Sequence, residues 1–138
     1  MKIFFDTNVY VAEALLGEAA EEMLEATSKA SWRIFSTHHV LHEIERVLTE
    51  RLEASRRFAH LTRKRVQRRA TLVEPARSRH RVPADPDDSP ILRAALGASV
   101  DYLVTNDPHL LELSPYEGIR IVSMTEYYLL LQDRGLLT

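Results

Sequence analysis

Apolar and polar positions along the chain alternate between two periods. Lys2–Phe5 is a short, largely apolar run that stops at Asp6, which predicts a strand ending in a polar corner. Val9–Leu16 reads as a helix closed by Gly17. Glu18–Ala30, rich in Ala, Glu, Leu and Met, reads as a longer helix with Ala19, Met23 and Ala26 or Thr27 facing inward. Ser31–Thr37, carrying Trp32, Ile34 and Phe35, predicts a second strand, after which Val40, Leu41, Ile44, Val47, Leu48 and Leu52 keep a helical period.

The second half repeats the alternation. Ser55–Ala70 predicts a helix whose inner positions are Phe58, Leu61, Arg65 or Val66, and Ala70. Thr71–Glu74 predicts a strand, Pro75–Pro86 a loop, and Ser89-Pro90 the start of a small-residue helix running to Ser99. A buried strand at Asp101–Val104, a short helix at Pro108–Leu113, a strand at Ile119–Val122 and a helix at Thr125–Arg134, stopped by Gly135, complete the pattern. Strands alternating with helices predict a three-layer α/β/α sandwich with a central, mostly parallel sheet, a fold that places ligands beyond the carboxyl ends of its strands. The length of 138 residues fits a single domain over 1–138.

Composition narrows the chemistry. The chain has no cysteine, so disulfides and thiolate metal sites are excluded, and any metal must rest on carboxylates, imidazoles, carbonyls or water. Hard cations, Mg²⁺ or Mn²⁺, are the natural candidates. Asp6 interrupts the first apolar run too early for a signal core or membrane span, so a cytoplasmic protein without membrane attachment is expected. Net charge is −2, yet residues 51–81 hold eleven Arg or Lys against two Glu, a local +9. Arg63, Lys64, Arg65, Arg68 and Arg69 are candidates for holding nucleic-acid phosphates, although such a run can equally be a solvated face or meet an acidic partner.

Four acids stand at positions that a parallel sheet gathers on one rim: Asp6 and Asp107 at strand ends, Asp88 at a helix start, and Glu43 beside the apolar face of its helix. Each aspartate can serve as a helix N-cap. Glu43 must be neutralised, hydrogen-bonded or bound to a cation, with Arg46, another Arg or Lys, or a backbone amide as alternative partners, because an unpaired carboxylate near an apolar face costs several kcal/mol. A divalent ion between the four would offset their mutual repulsion, which capping does not address.

The ordered segments Ile3-Phe4-Phe5-Asp6-Thr7-Asn8-Val9, Leu41-His42-Glu43-Ile44, Asp85-Pro86-Asp87-Asp88-Ser89-Pro90-Ile91 and Asp101-Tyr102-Leu103-Val104-Thr105-Asn106-Asp107 resemble the successive motifs of PIN domains, in particular the VapC-like branch. The resemblance implies a Mg²⁺- or Mn²⁺-dependent ribonuclease, commonly the toxin of a toxin–antitoxin pair, leaving a 5′-phosphate and a 3′-hydroxyl. It implies Asp6, Glu43, Asp88 and Asp107 as the metal-binding acids, with Asn8 and Thr105 in support. An RNA substrate, an antitoxin partner and a homodimer are the associated expectations. Asn106 stands where this family often has glycine.

Other folds that open on a strand and an acid fit less well. A dehalogenase-like phosphatase wants a second acid where Asn8 stands, a receiver domain wants a lysine after its last strand, and a dinucleotide site wants a glycine-rich first turn. The three histidines His38, His39 and His42 lack zinc-hydrolase spacing. The competing non-enzymatic reading is an RNA- or protein-binding module using the basic helix 51–70, with the acids as caps.

Overall fold

The computed structural model describes residues 1–74 and 89–137. Five strands, β1 (Lys2–Phe5), β2 (Arg33–Ser36), β3 (Ala70–Leu72), β4 (Tyr102–Val104) and β5 (Arg120–Val122), form one sheet in the order β3-β2-β1-β4-β5. Every pairing is parallel. Among the described residues seven α-helices flank it: α1 (Thr7–Leu16), α2 (Glu18–Lys29), α3 (His38–Arg46), α4 (Arg56–Arg69), α5 (Ser89–Gly97), α6 (Pro108–Leu111) and α7 (Met124–Asp133). The expected α/β/α layering is observed. The predicted loop at 75–86, Asp85, Asp87 and the candidate ligand Asp88 lie outside the described residues.

The strand order has a direct consequence for function. From β1 the chain moves outward through β2 to β3, then returns to lay β4 on the opposite side of β1. Direction reverses between β1 and β4, and the crevice beyond their carboxyl ends is where such sheets bind ligands. The register Phe5↔Val104 brings Asp6 and Thr105 together at that crevice, although 99 residues separate them.

β1 is central, and its Ile3, Phe4 and Phe5 are fully buried. Phe5 makes edge-on contacts with the rings of Tyr10 in α1 and Tyr127 in α7, at 5.9 and 5.5 Å between centroids. The Tyr127 hydroxyl meets the Thr27 hydroxyl at 2.6 Å, so the polar tip of a buried ring is satisfied on α2. Caps set the helix starts: Asp6, Thr37, Ser55, Asp107 and Ser123 each accept a backbone N–H with their side chains. The Asp6 cap starts α1 at Thr7, two residues before the apolar period begins.

Three inner faces differ from expectation. In α2 Ala20 is buried and Ala19 exposed, a shift of one position. After α3 the chain makes a five-residue π-helical turn, Val47–Arg51. Its wider winding rotates Leu52 off the stripe that a regular helix would bury, and Leu52 is 46% exposed. In α4 the inner residues are Ala59, Thr62 and Val66, whereas Phe58 and Leu61 are 39% and 52% exposed. From the same helix Arg65 and Arg69 reach Glu13 on α1.

Among the described residues, no helix is long and apolar enough to cross a membrane.

Candidate active site

Asp6 follows directly on β1, and its backbone N–H continues the sheet by donating to Val104 O at 2.9 Å. Its carboxylate is buried. One oxygen accepts the Thr7 backbone N–H at 2.6 Å and the other the Thr105 hydroxyl at 2.7 Å. Burial pushes this carboxyl above the usual carboxylate range, and the nearby negative charge of Asp107 adds to the rise. The two hydrogen bonds and the His39 side chain on α3 act in the opposite direction. The result is an acid held in fixed orientation at a place that penalises its own charge, which a bound cation would relieve.

Thr105 joins the two aspartates. Its hydroxyl donates to Asp6 and accepts the Asp107 backbone N–H at 3.0 Å. Asp107 is half-buried and caps α6 through the His109 N–H at 2.9 Å. The Asn106 side-chain carbonyl accepts the Met124 N–H at 3.1 Å and so ties this corner to the start of α7. A glycine there would lack that tie.

Glu43 is half-buried, and Arg46 grips it through a two-pronged ion pair, Nε–Oε1 at 3.0 Å and Nη2–Oε2 at 2.8 Å. This pair holds the carboxyl below the usual carboxylate range, helped by His39 and His42. His39 thus acts electrostatically on both Asp6 and Glu43. Among the described residues, no three Asp, Glu or His side chains converge closely enough to hold a metal ion.

The oxygens around Asp6 fit a hard cation. The Thr7 hydroxyl and the Asn8 side-chain carbonyl are both buried and have no hydrogen-bond partner among the described residues. Leaving such groups unsatisfied costs about 1–3 kcal/mol each. Two orphaned neutral oxygens on the two residues that follow a desolvated carboxylate, with no sulfur donor, are the donor types that suit Mg²⁺ or Mn²⁺. Asn8 was legible in the sequence as a supporting residue and Arg46 as one possible partner of Glu43; Thr7 and His39 acquire their places only through the fold.

The basic helix divides into two faces. Arg69 donates to both oxygens of Glu13 at 3.0 and 2.8 Å, with Arg65 at 3.6 Å from the same carboxylate. Arg63 pairs with Glu45 at 3.1 Å. Lys64 and Arg68, by contrast, line an open surface groove with Gln67, and neither has an acidic partner among the described residues. Glu13, whose side chain is only 1% exposed, had no sequence signal beyond being an acid in an apolar helix.

The family model described as PIN domain matches residues 2–109, a span that includes β1, Asp6, Glu43 and the Thr105–Asp107 corner. The chain belongs to the PIN domain family. Two solved structures share the PIN fold of this chain. One is a chain of VapBC2 from Rickettsia felis, crystallised with a DNA fragment from its promoter: 13% identity, TM-score 0.66, covering 89% of this chain and 98% of that one. The other is PAE2754 from Pyrobaculum aerophilum: 16% identity, TM-score 0.66, covering 96% of this chain and 90% of that one. No curated protein matches the chain.

Proposed function

We propose that this PIN domain is a Mg²⁺- or Mn²⁺-dependent endoribonuclease of the VapC-like branch, acting as the toxin of a toxin–antitoxin pair. The observation that carries the reading is the buried Asp6 carboxylate at the β1/β4 crevice, followed in the chain by Thr7 and Asn8, whose side-chain oxygens are buried with no hydrogen-bond partner among the described residues. A divalent ion bound there would acidify water and offset charge on the phosphodiester oxygens. Asp6 and Asp88 would hold it directly, with Glu43 and Asp107 as further carboxylates that bind it, bind its water, or accept the proton of the attacking water.

The protein's own contribution is orientation. Thr105 fixes the rotation of the Asp6 carboxylate and the path of the backbone into Asp107, and the capping bond to Thr7 holds the other Asp6 oxygen. Such pre-set donors lower the cost of arranging charge in the reaction. RNA phosphates outside the acidic rim would meet Lys64 and Arg68, the two candidate cations without acidic partners among the described residues, more readily than Arg63, Arg65 and Arg69, which acids already hold. The solved VapBC2 complex supports an antitoxin as partner, and a homodimer and a cytoplasmic location follow from the same reading.

The test is calorimetric titration of Mg²⁺ and Mn²⁺ into wild type and the Asp6→Asn/Asp88→Asn variant, with cleavage of a structured RNA assayed on each sample. Joint loss of binding and cleavage in the variant is expected. A wild type that binds no metal and cuts nothing would replace this reading with the non-catalytic binding module.

A further inference from the structure

The π-helical turn places a second acid on Arg46. Its guanidinium holds both Glu43 oxygens from i+3, while its Nη1 lies 3.6 Å from Glu50 Oε2 at i+4. Glu50 belongs to the turn Val47–Arg51 and is two-thirds exposed, at 66%. Arg46 therefore sits between two carboxylates on one helical strip, the first being one of the acids read as metal ligands and the second in solvent. With both Glu43 oxygens in the fork and a full positive charge in contact, a divalent ion can reach this carboxylate only in competition with the guanidinium.

Resting on the reading of Glu43 as a metal ligand, we propose that Arg46 is a positioning residue that occupies Glu43 in the metal-free protein and moves onto Glu50 when a divalent ion takes Glu43. Arg46 keeps the buried rim from holding an unpaired carboxylate before metal arrives, and Glu50 supplies the second seat that makes its release inexpensive. The side chain need only rotate, since its contact with Glu50 already exists.

The experiment is Mn²⁺ calorimetry on the full chain for wild type, Arg46→Met, Glu50→Gln, the double variant and Glu43→Gln. Arg46→Met should tighten Mn²⁺ binding about fivefold, the scale of a charge-assisted fork discounted for its partial exposure. Arg46→Lys, which keeps the charge but lacks the fork, should tighten it by a smaller factor. Glu50→Gln should weaken binding a few-fold in wild type and have no effect in the Arg46→Met background, because its influence passes through Arg46. Unchanged or weaker binding in Arg46→Met overturns the proposal, as does a Glu50→Gln effect of equal size in both backgrounds, which would be through-space charge. Glu43→Gln separates the two levels. If it weakens Mn²⁺ binding while Arg46→Met changes nothing, only the role of Arg46 fails; if it leaves binding intact, Glu43 is no ligand and the premise fails with it.

Discussion

Replacing Arg69 with Met should unfold this protein at a markedly lower temperature, although a basic residue near the end of a basic helix looks dispensable. The Glu13 side chain is 1% exposed, and Arg69, at 20%, supplies its two short contacts, 3.0 and 2.8 Å. Removing one partner of a buried pair leaves a charge in low dielectric at about 3–5 kcal/mol. Arg65 remains 3.6 Å away, which reduces the expected loss to about 2–4 kcal/mol by the same reasoning. Taking unfolding entropy as roughly 2.1 cal/mol/K per residue, such a loss in a chain of this length lowers Tm by about 7–14 °C. Urea and thermal denaturation in EDTA measure it, with Glu13→Gln/Arg69→Met as the companion variant. Removing the buried charge along with its partner should restore most of the loss. If Arg69→Met changed stability by less than about 0.5 kcal/mol, the range of an ordinary surface substitution, and reduced RNA affinity instead, the assignment of Arg69 to the α1–α4 contact would be refuted.

Three further outcomes can be checked on the same protein. Because burial raises the Asp6 pKa, the folded metal-free protein binds that proton more tightly than the unfolded chain. This group's contribution to stability therefore falls as pH rises from the unfolded carboxylate value through the folded one. Asp6→Asn should consequently melt higher than wild type in EDTA at pH 7.5, by a margin that narrows toward pH 4, and should gain nothing when Mg²⁺ is added; melts at the two pH values test it. Thr105→Val removes the donor to Asp6 and the acceptor for Asp107 N–H, and should cost about 1–3 kcal/mol in urea denaturation together with several-fold weaker Mn²⁺ binding. Lys64→Ala/Arg68→Ala should leave Tm within a few degrees while weakening RNA binding and lowering the magnitude of the salt slope by about 0.7 per lost phosphate contact, measured by fluorescence anisotropy at several salt concentrations.

The strand ends were readable because each apolar run stops at a polar residue: Phe5 before Asp6 and Val104 before Thr105. A parallel α/β pattern then sends both ends to the same edge of the sheet. The identity of the family was likewise carried by ordered motifs that the family match spans. What the pattern could not show was pairing between remote charges. Arg69 and Glu13 are 56 positions apart, and without their contact α4 looks like a solvated basic helix whose inner face should be Phe58 and Leu61. Leu52 was misplaced for a local reason: one π-helical turn breaks a 3.6-residue count without leaving any mark in residue type. Glu43 fell between the two cases, since its need for a partner was legible and Arg46 was among those anticipated, but the approach of Glu50 to the same guanidinium was not.

The strand order also dictates when the site comes into being. β1, β2 and β3 come from the first 72 residues and lie side by side, so a growing chain can assemble that half of the sheet as it emerges. Until β4 pairs with it, β1 keeps one edge unpaired and the Thr105 hydroxyl is not in place beside Asp6. Only after residue 105 has cleared the ribosome can β4 zip onto that edge and bring Thr105 to Asp6. The oriented Asp6 carboxylate is therefore a product of the last crossing back to β1, and whatever the first three strands have already formed, that corner waits for β4.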